Sequence, residues 1–187
     1  MRPLPSILLL LLLAAAPEAA AAEPRIRDLT AVESEGLVSV EFRLEGAFEA
    51  PEIRRAIESG LPTVLTYEVV LIRKYPNWFD ARVARSRIEV IATYNSVTRE
   101  YLLNYRRDRK LVRSEIVPTI EELQRKMATV READLFSIGD HKPWKLRVRT
   151  RAELMRRYVW YIIPWDVATP WEEERVRRRD AAEGAAP

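Results

Sequence analysis

Cysteine is absent from the 187 residues, histidine occurs once and glycine only five times. Without cysteine there is no disulfide framework, no thiol nucleophile and no thiol to carry a lipid anchor. A single histidine, His141, has no second histidine to share a zinc site, and its place before Lys142-Pro143 reads as a surface turn. Five glycines leave little material for phosphate-cradling loops. An excess of one charge is lacking too. The 31 basic side chains meet 28 acids for a net charge of +3, well short of the basic surplus of a nucleic-acid binder. Long apolar runs are equally scarce: after residue 22 no stretch approaches the roughly 20 apolar residues that span a bilayer.

The one apolar run is N-terminal. Arg2 precedes ten apolar residues from Ile7 to Ala16, Pro17-Glu18 breaks the run, and Ala20-Ala21-Ala22 offers small residues for cleavage between Ala22 and Glu23. That is the layout of a secretory signal peptide, with an uncleaved N-terminal anchor as the competing reading. The expected organisation is a cleaved signal peptide at 1–22, one β-rich domain at 23–171 and a disordered charged tail at 172–187. The expected destination is the periplasm or cell envelope, with no integral membrane segment after processing.

Periodicity then gives the fold class. Val38, Val40, Phe42 and Leu44 alternate with Ser39, Glu41, Arg43 and Glu45, the pattern of a half-buried strand. Residues 26–33 are its expected antiparallel partner, turning near Glu35-Gly36. Val64 to Ile72 is apolar on both faces, which suits a central strand. Further strands are expected at about 84–94, 99–106 and 110–117, joined by hairpin turns at Asn95-Ser96 and Arg107-Asp108, with another through Trp144, Leu146 and Val148; a short helical turn could follow at Thr150–Glu153. Pro51 opens a short helix at about 51–59. Thr119 with Glu122 forms a capping box, and Ile120, Leu123, Met127 and Val130 continue an apolar stripe, so one long helix is expected at about 119–136. The predicted architecture is mainly β with minor α: an antiparallel β-sandwich, immunoglobulin-like or similar, with those two helices.

Several of these segments occur in a known order. Ser59-Gly60-Leu61-Pro62 precedes the central strand, Trp78-Phe79-Asp80 follows it, and Tyr94-Asn95-Ser96-Val97-Thr98-Arg99-Glu100-Tyr101 comes next. With the Thr119–Leu123 helix start and the Lys145–Arg149 strand, they make residues 25–171 resemble the bacterial domain-of-unknown-function family numbered 4390. The resemblance implies an exported, β-rich, Gram-negative protein with no established activity, cofactor or catalytic residue.

The candidate binding residues are aromatic and basic. Tyr158, Trp160, Tyr161, Trp165 and Trp171 crowd a segment broken by Pro164 and Pro170, as a core-sealing strand or as a binding surface. Lys145, Arg147 and Arg149 share one strand face, suited to anionic head groups or to glutamates on a neighbouring strand. Trp78, Phe79 and Asp80 form an aromatic–acidic loop. Catalysis would need a positioned nucleophile or carboxylate pair, and none is signalled, so no catalytic residue, metal ligand or cofactor is expected. The leading expectation is a non-enzymatic envelope protein that binds a partner protein. The alternative is binding of anionic lipid or lipopolysaccharide through the basic strand face, and the third class is a hydrolase with a cryptic carboxylate site.

Overall fold

A computed structural model describes residues 23–49, 55–57, 59–60, 62–76, 79–159 and 163–179, except the side chains of 155–159 and 163–167. The strands are β1 (Arg25–Ser34), β2 (Leu37–Glu45), β3 (Thr63–Arg73), β4 (Ala81–Asn95), β5 (Glu100–Arg107), β6 (Lys110–Val117), β7 (Thr129–Ser137), β8 (Leu146–Val159), β9 (Ile163–Ala168) and β10 (Glu172–Arg178). Helix α1 spans Ile120–Ala128, and residues 55–57 are helical. The rest of the expected 51–59 helix is only partly described. No described helix is long and apolar enough to cross a membrane.

The strands form one curled mixed sheet, an open half-barrel, where a two-sheet sandwich was expected. Its order is β6-β5-β4-β3-β8-β10-β1-β2-β7, with β9 on β8 off that path. Every pairing is antiparallel except β10 with β1. Two-residue turns set the hairpins. Glu35-Gly36 and Asp108-Arg109 all have positive φ, the conformation whose twist matches that of the flanking strands. Bulges bend the sheet. Asp28 in β1 and Asp134 in β7 take left-handed conformations where the register shifts against β2, and such bulges kink a strand and increase its twist.

The curl replaces the second sheet by giving the apolar face something to wrap. Phe42 and Leu44 of β2, Tyr67 and Leu71 of β3, Ile88 and Val90 of β4 and Val148 of β8 are all buried on it. They close around Leu123 and Met127 of α1, both fully buried. Tyr67 meets the Phe42 ring edge-on at 5.3 Å, and its hydroxyl donates to the Met127 carbonyl at 2.7 Å.

Three further expectations need correction. The helix starts as predicted: Thr119 is extended, its hydroxyl accepts from the Glu122 amide at 3.2 Å, and acids occupy the first turn. It ends at Ala128 instead of near 136, because Thr129 to Ser137 pair with β2 as β7. Val130, the last residue of the expected stripe, is buried from a strand. The expected disordered tail is also partly ordered. Glu172–Arg178 is β10, inserted between β8 and β1, with Val176 buried. Likewise Thr150–Glu153 lies inside β8 and makes no helical turn.

Candidate functional site

The half-barrel does not close on itself. Its end strands β6 and β7 each pair on one side only among the described strands, and a cleft of about 250 Å³ opens between them. Ile88, Val90 and Val130 give the cleft a buried apolar floor, and Tyr105, Arg113, Glu115, Lys126, Arg131 and Glu132 line the rest.

These polar groups are tied to one another across four elements. Tyr105 of β5 donates to Glu115 Oε1 of β6 at 2.5 Å, and Lys126 of α1 reaches Glu115 Oε2 at 2.7 Å. The Arg113 guanidinium stacks over the Tyr105 ring at 4.1 Å. Arg107 of β5 crosses the opening to Glu132 of β7 at 3.2 Å, tying the end strand β7 to the strand beside β6. Burial and the hydrogen bond to Glu115 push the Tyr105 phenol well above its ordinary range. Burial alone would raise Glu115, but the hydrogen bonds from Lys126 and Tyr105 outweigh it and hold the carboxyl low. Glu132 lies the other way, raised because desolvation exceeds the help of Arg107 and Arg113. The cleft therefore sets a firmly ionised carboxylate opposite one that is reluctant to ionise. A recess with an apolar floor, a few converging polar groups and shifted acidities is the usual form of a ligand site.

Beside the cleft runs a bare edge. Among the described strands β6 pairs only with β5, and Leu111, Val112 and Ile116 on it are 61%, 52% and 64% exposed. Natural edge strands usually carry charges, bulges or proline against unwanted pairing. This one has a bulge opposite Tyr105/Arg106 and two cations, Lys110 and Arg113, of which Arg113 is turned onto Tyr105.

The residues singled out from sequence lie elsewhere. Arg147 and Arg149 sit on the convex face of β8, both within 3.6 Å of Glu173 in β10, while Arg151 bonds Glu68 of β3 at 2.8 Å. These three arginines are thus matched by described glutamates on both neighbouring strands, while Lys145 is not. Trp171 packs its ring against Arg149 and Arg151 at 5.2 and 4.7 Å, half-buried as a lid on that ladder. Asp80 holds Lys74 at 2.8 Å, and the bond raises the lysine's pKa. Phe79 and Lys145 are exposed at one end of the sheet. Trp78, Trp160 and Tyr161 lie outside the described residues, as do Ala22 and the side chains of Tyr158 and Trp165.

Sequence reasoning missed Tyr105, Arg107, Arg113, Glu115, Lys126 and Glu132. Arg107 belongs to a basic hairpin that reads as plain solvated surface. The available signal was the unexplained polarity of inward positions: alternation from Leu103 places Tyr105 and Arg107 on the core side of β5.

Fold and cleft define a β-rich domain built as an open half-barrel. Residues 21–174 match the family described as a domain of unknown function (DUF4390), and the chain belongs to that family. No curated protein and no solved structure matches it.

Proposed function

We propose that this is an exported, non-enzymatic protein of the bacterial cell envelope that binds an extended segment of a partner protein along β6. The observation that carries the reading is the unpaired, apolar-decorated edge of β6 next to a polar cleft. A strand added there would bond its backbone to the free amides and carbonyls of β6. Its side chains would alternate between the cleft and the convex surface beside Ile116 and Leu102, which pair across β5 and β6. Backbone bonds then supply affinity and the cleft supplies selectivity, the division of labour in strand-addition complexes. The Arg107–Glu132 and Lys126–Glu115 pairs leave few uncompensated charges in the recess, which favours a partner side chain with both polar and apolar parts. The N-terminal apolar segment supports the envelope setting.

The test places a photo-crosslinking residue at Leu111 or Ile116 in the protein in its native cells, with Arg177 on β10 as a distant control. Crosslinks to one protein from the β6 positions and none from the control support the reading. Val112→Lys with Ile116→Lys should abolish them while leaving thermal unfolding unchanged. Crosslinks that survive this double substitution in a folded protein would refute it.

A further inference from the structure

The sheet end opposite the start of β1 carries aromatic surface that no core requires. Antiparallel pairing runs on past β3: the Lys74 amide donates to the Lys145 carbonyl at 3.1 Å, and Lys74 bonds Asp80. Tyr75 follows Lys74, Phe79 precedes Asp80 and Trp144 precedes Lys145, so these two bonds gather the three aromatics at one end of the sheet. The three are 38%, 87% and 69% exposed. Trp144 stands on a single 3₁₀ turn, Pro143–Lys145, in the run Lys142-Pro143-Trp144-Lys145, so a lysine flanks it on each side. Lys142 Nζ lies 5.8 Å from its ring centroid, and the Arg73 guanidinium lies 4.8 Å from that of Tyr75.

The charge at this end is one-sided once its ion pairs are removed. Lys74 is taken up by Asp80 and Glu173. Arg73, Lys142, Lys145 and Arg179 make no ion pair with a described carboxylate, and Glu35 and Asp140 at this end make none with a described base. Tryptophan, tyrosine and phenylalanine ringed by lysine and arginine is the composition that settles at a bilayer interface, the rings at head-group depth and the cations on anionic phosphates. The arrangement differs from the basic strand face expected from sequence, whose arginines are committed to Glu173 and Glu68.

We infer that this end of the sheet, tipped by Tyr75, Phe79 and Trp144 and flanked by Lys142 and Lys145, docks on an anionic phospholipid surface. Docked this way, the domain stands on the membrane with β6 exposed on its flank, so lipid and protein partner occupy separate surfaces. The occupant is a membrane because three exposed rings lie on two adjoining loops among lysine and arginine side chains that no described carboxylate pairs, the make-up of an interfacial anchor.

The test is co-sedimentation of the full chain with vesicles of phosphatidylcholine alone or mixed with phosphatidylglycerol, in low and high salt. Residues 1–22 are kept identical in every variant, so their contribution cancels between variants, and the readout between vesicles is the binding that phosphatidylglycerol adds to that seen with phosphatidylcholine alone. Binding should need phosphatidylglycerol and fall in high salt. Lys142→Gln and Lys145→Gln should each lower the partition about fivefold, the equivalent of the ~1 kcal/mol a basic side chain contributes at an anionic surface. Trp144→Ala should weaken binding further and reduce the tryptophan quenching caused by brominated acyl chains. Equal partition into neutral vesicles, or unchanged binding by the Lys142→Gln/Lys145→Gln/Trp144→Ala triple variant, would overturn the inference. Both partners of the inference separate cleanly: the triple variant should retain the Leu111 crosslink.

Discussion

Replacing Tyr67 by phenylalanine isolates one hydrogen bond on which the position of α1 depends. Met127 is the second-last residue of α1, so its carbonyl has no helical amide four residues on to pair with. The Tyr67 hydroxyl fills that role from β3 at 2.7 Å, and both side chains are fully buried. Tyr67→Phe keeps the ring and its edge-on contact with Phe42 but leaves the carbonyl dry and unpaired. Such a loss costs about 1–3 kcal/mol. Near the middle of that range, a chain of this size should melt roughly 4–8 °C lower.

The same residue has a pH signature. Burial foremost, and Tyr105 second, raise the Tyr67 phenol far above its ordinary value of about 10. The unfolded chain therefore loses this proton first, and above pH ~10 the native state holds more protons than the unfolded one. Stability from this source is complete below pH ~10 and declines as pH rises beyond it, by up to about 1.4 kcal/mol per pH unit. Tyr67→Phe removes that slope, so its deficit should be constant from neutrality to pH ~9.5 and narrow above it. Urea unfolding followed by far-UV circular dichroism at a series of pH values measures both effects. A variant as stable as the wild type at neutral pH would refute the assignment of this bond, and a deficit that stays flat above pH ~10 would refute the raised phenol.

Other perturbations discriminate the remaining parts of the structure. Glu115→Gln should cost about 1–2 kcal/mol at pH 7, since charge-assisted bonds from Lys126 and Tyr105 are weakened; because the carboxyl is held low, that deficit should be present above pH ~4.3 and shrink as pH falls below it. Glu132→Gln should change stability by less than about 0.5 kcal/mol at pH 7, because its carboxyl is raised and its ionised form gains little from folding; urea midpoints of the two variants side by side check the contrast. Leu123→Ala removes a fully buried side chain from α1 and should cost about 2–5 kcal/mol by denaturant unfolding. Glu173→Ala should release Arg147, Arg149 and Lys74 together on a partly exposed face, a loss of about 1 kcal/mol that high salt should largely erase in thermal melts.

Much of the sheet was legible because its signals are local. Alternation located β2 and its partner β1, two-faced hydrophobicity located β3, and turn chemistry at Asp108 located the β5–β6 hairpin. Thr119 marked the start of α1 for the same reason. Its end was not legible, because the apolar spacing through Val130 fits a helix and the competing ladder comes from β2, some 90 residues earlier. The bulge at Asp134 also destroys the two-residue period that would have announced β7. The cleft was hidden for a related reason. Its groups come from β5, β6, α1 and β7, and only the curl of the sheet brings them together.

The C-terminal strand shows most clearly what periodicity leaves out. β10 has one buried apolar residue, Val176, so by hydrophobic pattern it looks like solvent-exposed chain. Its place is fixed instead by charge and register: Glu173 lies opposite Arg149, with Arg147 also in reach, and Glu33 of β1 receives Arg178. The signal was present as a match between distant segments, three successive glutamates at 172–174 against arginines at every second position from 147 to 151. Among the described strands, β10 is also the only one that pairs with both β1 and β8. Without it, β1, β2 and β7 would form one antiparallel ribbon and β3 to β6 with β8 another, each with a raw edge. The two ribbons would then lose the hydrogen-bonded ladder between them and rest on side-chain packing around α1 and where β1 passes β8. An open half-barrel is therefore the consequence of a parallel strand that arrives last, sews two antiparallel sheets into one, and leaves β6 and β7 as the edges that remain.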